Sequence, residues 1–443
     1  MNYIRVNTLS WNSIEIYALL FLLLVFFRIL VLQKDRHIDR QLIKMYILSS
    51  FFTDTTYRTV ASIQIPELII ILAVMLDIYR NKLKIVKNSL TVFMLSLSGI
   101  FFSSDIIAPI QSIYTDSPYN SNASFLYAFG NNIKFLLIIY MVSKIIREIQ
   151  SPNYLQELLK WGGGINSCVT ILQVLMYKAG FRVPGIFDMW GIPRAKGLSH
   201  EPATNAFVLL LPMLLSLFYV YKGKYKIHGK LLLLHLTAFI LCFSTGAIPI
   251  FLAAVSLFLL KSHRMIERSR RFAVNMTIAT TILLAGILLF SIDISALISL
   301  IRKLLALFSD YVYNTNSSGR GSDAELLAVI MEHNFIVGIG AFNTLSIAGE
   351  ILGSEAAVTN TYVIFLCELG ILGFAAWLFV SLLFVHNYKI RLKAMRNKPY
   401  YANLFAYSAM IPVMLAWLRI FFFHQIWIAL SFVYLKGNQA CEK

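Results

Sequence analysis

The densest polar constellation in this chain is Arg194-Ala-Lys196-Gly197-Leu-Ser199-His200-Glu201-Pro202. Two cations, an imidazole and a carboxylate at this spacing suit acid–base work on a phosphorylated ligand. A guanidinium presents a planar fork that matches phosphate, and a carboxylate or imidazole can take the proton of a reacting hydroxyl. Arg182 precedes the constellation in the same polar stretch, and Arg302, Lys303 and Arg320 fall in a longer one. Two local explanations compete. Pro202 suits a first helical turn and Glu201 a helix N-terminal dipole, and Arg302 and Lys303 also fit snorkelling towards lipid head groups. Within apolar runs lie Arg28, Lys134 (after Asn131-Asn132), His235, Glu368 and Arg419. Buried charges of this kind are costly and mark functional positions, of which Lys134 is the most central to its run. Asp323-Ala-Glu325 offers a metal pair, but Ser322-x-x-Glu325 reads equally as a capping box opening a helix. There is no Walker A loop, G-x-G-x-x-G, H-E-x-x-H or G-x-S-x-G, and the eight histidines do not cluster. Nucleotide-driven transport and zinc hydrolysis therefore have no support, and neither a metal nor a cofactor is expected.

The elements that must position these residues are membrane helices. Of 443 residues, 58% are hydrophobic and 14% charged, against about 25% charged in soluble domains. Mean hydropathy is +0.70. Apolar runs near 14–32, 42–58, 62–79, 90–108, 124–146, 161–179, 203–221, 230–244, 246–260, 272–290, 359–385, 402–418 and 420–435 predict about thirteen spans, within a range of 12–14. The run from Lys230 to Lys261 is best divided into two short helices meeting at Ser244-Thr245-Gly246. The net charge of +17 is held largely in short clusters between spans, such as Arg80–Lys87, Lys144–Lys160, Lys222–Lys230 and Lys389–Lys398. That distribution follows the positive-inside rule and makes the basic balance a topology signal. Charge scattered in this way also argues against nucleic acid as a partner. Cys168, Cys242 and Cys367 sit in apolar runs and Cys441 in the tail, with no C-x-x-C, so no disulfide framework is expected. The first apolar run reads as a retained helix.

With the basic clusters inside, three stretches lie outside: 109–123, 180–202 and 291–358. The expectation is one all-α polytopic integral membrane domain over 1–443, with a periplasmic 180–202 loop carrying the Arg/Glu motif. A large 291–358 periplasmic loop would hold short helices, the first an amphipathic run from Ile294 to Phe308 along the membrane face.

These residues resemble the O-antigen polymerase and O-antigen ligase superfamily, over roughly 160–385. Arg194-x-x-Gly197-x-x-x-Glu201-Pro202 is similar to that family's R-x-x-G-x-x-x-E-P turn. Ser244-Thr245-Gly246-Ala247 resembles its break between two short helices, with Thr245 where many members carry a basic residue. Ser318-Gly319-Arg320 followed by a helix, Val337-Gly338-Ile339-Gly340-Ala341-Phe342, and Asn360-Thr361-Tyr362 through Glu368-Leu369-Gly370-Ile371-Leu372-Gly373 resemble further pieces in the right order. The resemblance implies a GT-C-type glycosyltransferase of the inner membrane with its active site facing the periplasm. Its substrate would be an oligosaccharide on undecaprenyl diphosphate. Arg194 and Arg320 would hold the diphosphate, with Glu201 at the acceptor hydroxyl. Lys196, His200, Lys134, Arg182 and Asn360 are the substrate-binding candidates. No metal would be needed, and inversion at the anomeric carbon would follow from direct displacement. A chain-length regulator would be the protein partner, beside the bilayer itself.

Ligases of the family carry His before an Asn, Ser or Gln placed ten residues ahead of a Gly. Here Asn360 and Gly370 keep the spacing, but Thr359 stands where the His would be. His333-Asn334 is no substitute, because Thr344 occupies the glycine's place. The pattern favours a polymerase over a ligase. A flippase for the same lipid-linked sugar and a structural partner of a polysaccharide complex remain the readings from other classes. Thirteen spans place Arg5 outside and Lys443 inside. Reporter fusions at those two residues are expected on opposite sides of the membrane, and the same side for both rejects the count.

Overall fold

The computed structural model describes residues 38–51, 65–115, 122–181, 186–189, 192–199, 201–222, 224–242, 247–262, 321–344, 360–396, 400–415 and 424–435, with 183, 244 and 398. The candidates Arg182, His200 and Arg320 lie outside the described residues. So do Arg28, Arg302, Lys303, Arg419, Thr245, Gly246 and the amphipathic run Ile294 to Phe308. Helices dominate: α1 (Ile38–Ser49), α2 (Ile65–Tyr79), α3 (Ser89–Thr115), α4 (Asn122–Glu148) and α5 (Pro152–Lys178) come first. A hairpin of β1 (Ile186–Met189) and β2 (Ile192–Ala195) follows, then α6 (Pro202–Tyr221), α7 (Tyr225–Leu241) and α8 (Ala247–Ser262). The remainder are α9 (Gly321–Asn334), α10 (Thr361–Ala394), α11 (Tyr401–Leu415) and α12 (His424–Ser431), which closes in a 3-10 turn at Phe432–Tyr434.

Among the described residues, four stretches are long and apolar enough to cross a membrane: Ser89–Ile110, Ala128–Glu148, Pro202–Tyr221 and Thr361–Ala394. They coincide with four of the expected spans and make this a membrane protein of helical class. α8 and α11 are apolar but shorter. α5 has the length of a span, but Asn166, Ser167, Thr170 and Gln173 line a buried polar stripe on it.

Several expectations change. The 180–202 stretch is not a plain loop, because an antiparallel hairpin pairs Phe187 with Arg194 and Met189 with Ile192. The 109–123 loop shrinks, since α3 runs on to Thr115 and α4 begins at Asn122. α9 starts at Gly321, which puts Ser322 inside the first turn and not at the cap that a capping box requires. Lys160, expected in a basic loop, is a buried residue of α5, because that helix starts at Pro152. Its ammonium is neutralised locally by Glu157 Oε1 at 2.6 Å and lies 3.9 Å from the centroid of the Tyr219 ring. It also meets His228 Nδ1 at 3.2 Å.

The chain forms two compact units. The first comprises Met1–Leu83, Arg147–Ala247 and Glu267–Ser291. In it α5, α6 and α7 pack on one another and α1 packs on α2 and α5. Consecutive glycines on α5 permit the approach. A Cβ at Gly162 would lie 2.4 Å from the Phe51 ring, and one at Gly163 would lie 2.5 Å from Pro212 of α6.

The second unit comprises Lys84–Ile146, Ile248–Ile266 and Ile292–Lys443. Its core centres on Phe101 of α3, whose ring meets Phe342 at 5.3 Å, Phe365 of α10 at 5.6 Å and Phe135 of α4 at 6.3 Å. Such tilted and edge-on pairs add to the burial of apolar area. α10 breaks at Gly370, which adopts φ 63° and ψ −173°. In an unbroken helix Ile371 N–H would bond the Cys367 carbonyl and Leu372 N–H that of Glu368. Instead they donate to Phe335 O at 2.9 Å and Ile336 O at 3.2 Å. The carbonyls of Cys367 and Glu368 accept from Ile339 N–H and Gly340 N–H, each at 3.0 Å. The chain after α9 is thus inserted into the break.

The insertion needs glycine on both sides. A Cβ on Gly338 (φ +75°) would lie 2.5 Å from Gly370 N, and one on Gly370 would lie 2.5 Å from Gly338 N. Gly338→Ala and Gly370→Ala are therefore expected to cost at least about 1–3 kcal/mol, from left-handed backbone strain alone. Gly99→Ala, with nothing within 4 Å of the new methyl, serves as control and should leave the thermal unfolding midpoint unchanged or raised.

Candidate functional site

In the first unit the Arg194–Glu201 stretch is held in a frame of neutral amides. Lys196 to Ser199 forms a turn closed by Ser199 N–H to Lys196 O at 3.0 Å, with Gly197 at φ +58°. Gln173 of α5 clamps that glycine twice: Gly197 N–H donates to Gln173 Oε1 at 2.9 Å, and Gln173 Nε2 donates to Gly197 O at 3.1 Å. Asn166, two turns earlier on α5, accepts Leu198 N–H at 2.9 Å and donates to Asn205 Oδ1 of α6 at 2.7 Å. Asn205 Nδ2 donates to Thr170 Oγ1 at 2.9 Å and to Cys242 Sγ at 3.3 Å. Asn166, Thr170, Asn205 and Cys242 are all fully enclosed. A Cβ at Gly197 would fall within about 2.6 Å of Asn166, Thr170 and Asn205 side-chain atoms together. The glycine of the motif is therefore required by both its backbone angle and the space around it.

The candidates emerge from this frame at defined places. Arg194 sits on β2, half-buried, and its Nε donates to the Cys242 carbonyl at 3.2 Å, at the C-terminal end of α7. The negative end of the α7 dipole and the fixed Nε–H hold the guanidinium there. Lys196 is buried and leads into the turn. Glu201 is the N-cap residue of α6, in extended backbone (φ −139°, ψ 152°), with Pro202 following in the first turn. Its side chain makes no capping hydrogen bond and is exposed. Helix entry thus accounts for its backbone, while its carboxylate is directed elsewhere than the first turn. This places two cations and an accessible carboxylate at one end of the α5–α6–α7 bundle.

Other candidates belong to other elements. Lys134 is half-buried on α4, and Asn360 is the N-cap of α10, both in the second unit. The Asn360 side-chain oxygen accepts from Tyr362 N–H at 3.0 Å and Val363 N–H at 3.4 Å, which caps α10. His235 is fully buried on α7 with Nδ1 2.9 Å from Ser167 Oγ of α5. Glu368 is buried on α10 and accepts from Thr344 Oγ1 at 2.8 Å. His333-Asn334 ends α9, immediately before the inserted segment. Among the described residues no group of three His, Cys, Asp or Glu could hold a metal ion.

Sequence reasoning missed the frame itself. Asn166, Thr170 and Gln173 recur at i, i+4 and i+7, the spacing of one helix face, inside an otherwise apolar run. That stripe was the available signal. Its partner Asn205 follows Thr204 at the start of an apolar helix, and no polar periodicity marks it. No family model matches this chain, and no curated protein matches it.

Removing one member of a buried network strands its partners, at about 1–3 kcal/mol each. Asn205→Leu, which fills a similar volume, is expected to lower thermal stability by at least that amount. Gln173→Leu should do the same by releasing the Gly197 backbone.

Proposed function

We propose that the protein is a polymerase of O-antigen or a related surface polysaccharide. It would take the growing glycan from one undecaprenyl diphosphate and join it to the next lipid-linked repeat unit, at the periplasmic face of the bacterial inner membrane. The observation that carries this reading is the pairing of Arg194 and Lys196 with the exposed Glu201, in one motif on a rigid polar frame. The motif's resemblance to the family turn and the helical membrane class support it as well.

In the proposed step an acceptor hydroxyl attacks the anomeric carbon of the donor glycan, opposite the diphosphate. The C–O bond to phosphate breaks, and the leaving undecaprenyl diphosphate takes the electron pair. Arg194 neutralises the charge that grows on the leaving phosphate. Lys196 adds positive potential beside it. Glu201 accepts the hydroxyl proton as the new glycosidic bond forms with inverted configuration. Arginines carry the phosphate charge, so the step requires no metal. His200 and Arg182 would contact the sugar or its carrier, and a chain-length regulator would be the partner in the membrane. The GT-C architecture and the polymerase choice over ligase rest on the family resemblance and on Thr359.

The test is purified protein in liposomes with the undecaprenyl diphosphate-linked repeat unit alone, its products separated by size. A ladder is expected. Arg194→Gln and Glu201→Gln should each reduce its rate by about 10²-fold, with thermal stability close to wild type. Transfer only after a lipid core is added assigns a ligase. Movement of the lipid-linked sugar between leaflets with neither product assigns a transporter.

A further inference from the structure

A second buried polar cluster lies in the second unit, and the glycosyl-transfer reading makes no use of it. Asp105 on α3, Asn132 on α4 and Glu368 on α10 are 3%, 2% and 1% exposed. Asn132 Nδ2 donates to Asp105 Oδ2. Ser104 Oγ, next along α3, donates to the Glu368 carbonyl at 2.9 Å, which draws α3 and α10 together at this level. Glu368 Oε1 accepts from Thr344 Oγ1 at 2.8 Å and from Thr344 N–H at 3.3 Å, so its carboxylate is held as an acceptor. The Asp105 and Glu368 carboxyls lie within electrostatic reach of each other.

Two oxygens in this cluster have acceptor capacity left over. Asp105 Oδ1 and Asn132 Oδ1 are enclosed and have no hydrogen-bond partner among the described residues. The backbone of the inserted segment closes over the first of them, since a Cβ at Gly340 would lie 3.4 Å from Asp105 Oδ1. What faces Asp105 is the carboxylate of Glu368 from α10, the neutral amide of Asn132 from α4, and, from the inserted segment, uncharged Gly340 and the Ala341 backbone N–H, which donates to the carboxyl group. A buried carboxylate oxygen without a donor is expensive, and two neighbouring carboxylates in a low-dielectric interior do not both stay ionised unaided. The deficit is one positive charge. With a single unpartnered carboxylate oxygen beside an amide oxygen, and no histidine or thiol in the set, the chemistry suits a hard monovalent cation.

We propose that Asp105 and Asn132 form a binding site for one exchangeable monovalent cation, a proton or a sodium ion. Each of the three helices carries its cluster residue in the half remote from its basic end: α3 begins after Lys82–Lys87, α4 ends at Lys144–Arg147 and α10 ends at Lys389–Lys393. The site therefore lies on the side of the unit away from the positive clusters. It also adjoins the segment inserted at Gly370, so occupancy stabilises the contact of α3, α4 and α10 with that segment.

The experiment needs no glycan substrate. Full-length protein is unfolded thermally in sodium chloride and in choline chloride across a pH series, and the infrared carbonyl band of protonated carboxyl groups is followed in parallel. A melt stabilised by sodium over choline assigns sodium. A protonated-carboxyl band that titrates with pH and ignores sodium assigns the proton. In either case Asp105→Asn, which is neutral and of equal size, should abolish the dependence, while Glu201→Gln keeps it. No cation or pH dependence in the wild type, or the same dependence in Asp105→Asn, overturns the site. Should Asp105→Asn fail to fold, Asn132→Leu decides: the half-saturating concentration is expected to rise at least about tenfold, and an unchanged value overturns the site.

Discussion

Everything in the second unit depends on keeping backbone groups bonded where water is absent. A helix that breaks inside a membrane leaves N–H and C=O groups unpaired, and each one costs several kcal/mol unless protein replaces the lost partner. At Gly370 the replacement is reciprocal. The chain from Phe335 to Gly340 takes the two orphaned N–H groups of α10 and supplies N–H donors to the two released carbonyls. Such an exchange demands near-contact of two backbones, which explains why glycine faces glycine there. It also fixes Phe342 against Phe101 and brings Thr344 onto Glu368. The aromatic core and the buried carboxyls are arranged by that one insertion.

The first unit solves a different problem with the same rule. A motif rich in charge must have its backbone held in place at the end of a helical bundle. Neutral amides do the holding, because a buried amide can be satisfied by other amides and backbone without the desolvation penalty of a buried ion. Asn166, Gln173 and Asn205 spend their donors and acceptors on the Gly197 turn and on one another. The charged groups, Arg194 and Glu201, are left at the margin, one braced on the end of α7 and the other at the start of α6. Rigid neutral support thus fixes the backbone from which these two charges project.

Much of this was legible in the sequence. Hydropathy and the basic clusters marked a helical membrane protein, since the bilayer imposes length and charge placement on each span independently of fold. Pro202 marked the start of α6, and the run from Lys230 to Lys261 divides into two helices, α7 and α8, as expected. Gly197 stood out in its motif, yet its reason, three side chains converging on the place of its missing Cβ, is visible only in three dimensions. The hairpin at Ile186–Ala195 escaped because strands this short carry too little periodicity to rise above a loop.

What the sequence determined by itself was local: which segments are apolar enough for lipid, where helices begin, and which stretch gathers the chemistry. Those properties depend on residues close together in the chain. Only the tertiary structure decided the pairings, such as Gly338 with Gly370, Asn205 with Thr170 and Asp105 with Asn132. It also decided that Asn360 caps a helix and that Lys160 is buried. Such contacts arise when separate helices pack, and a side chain's role is then set by the partner geometry offers it, which a one-dimensional pattern does not encode.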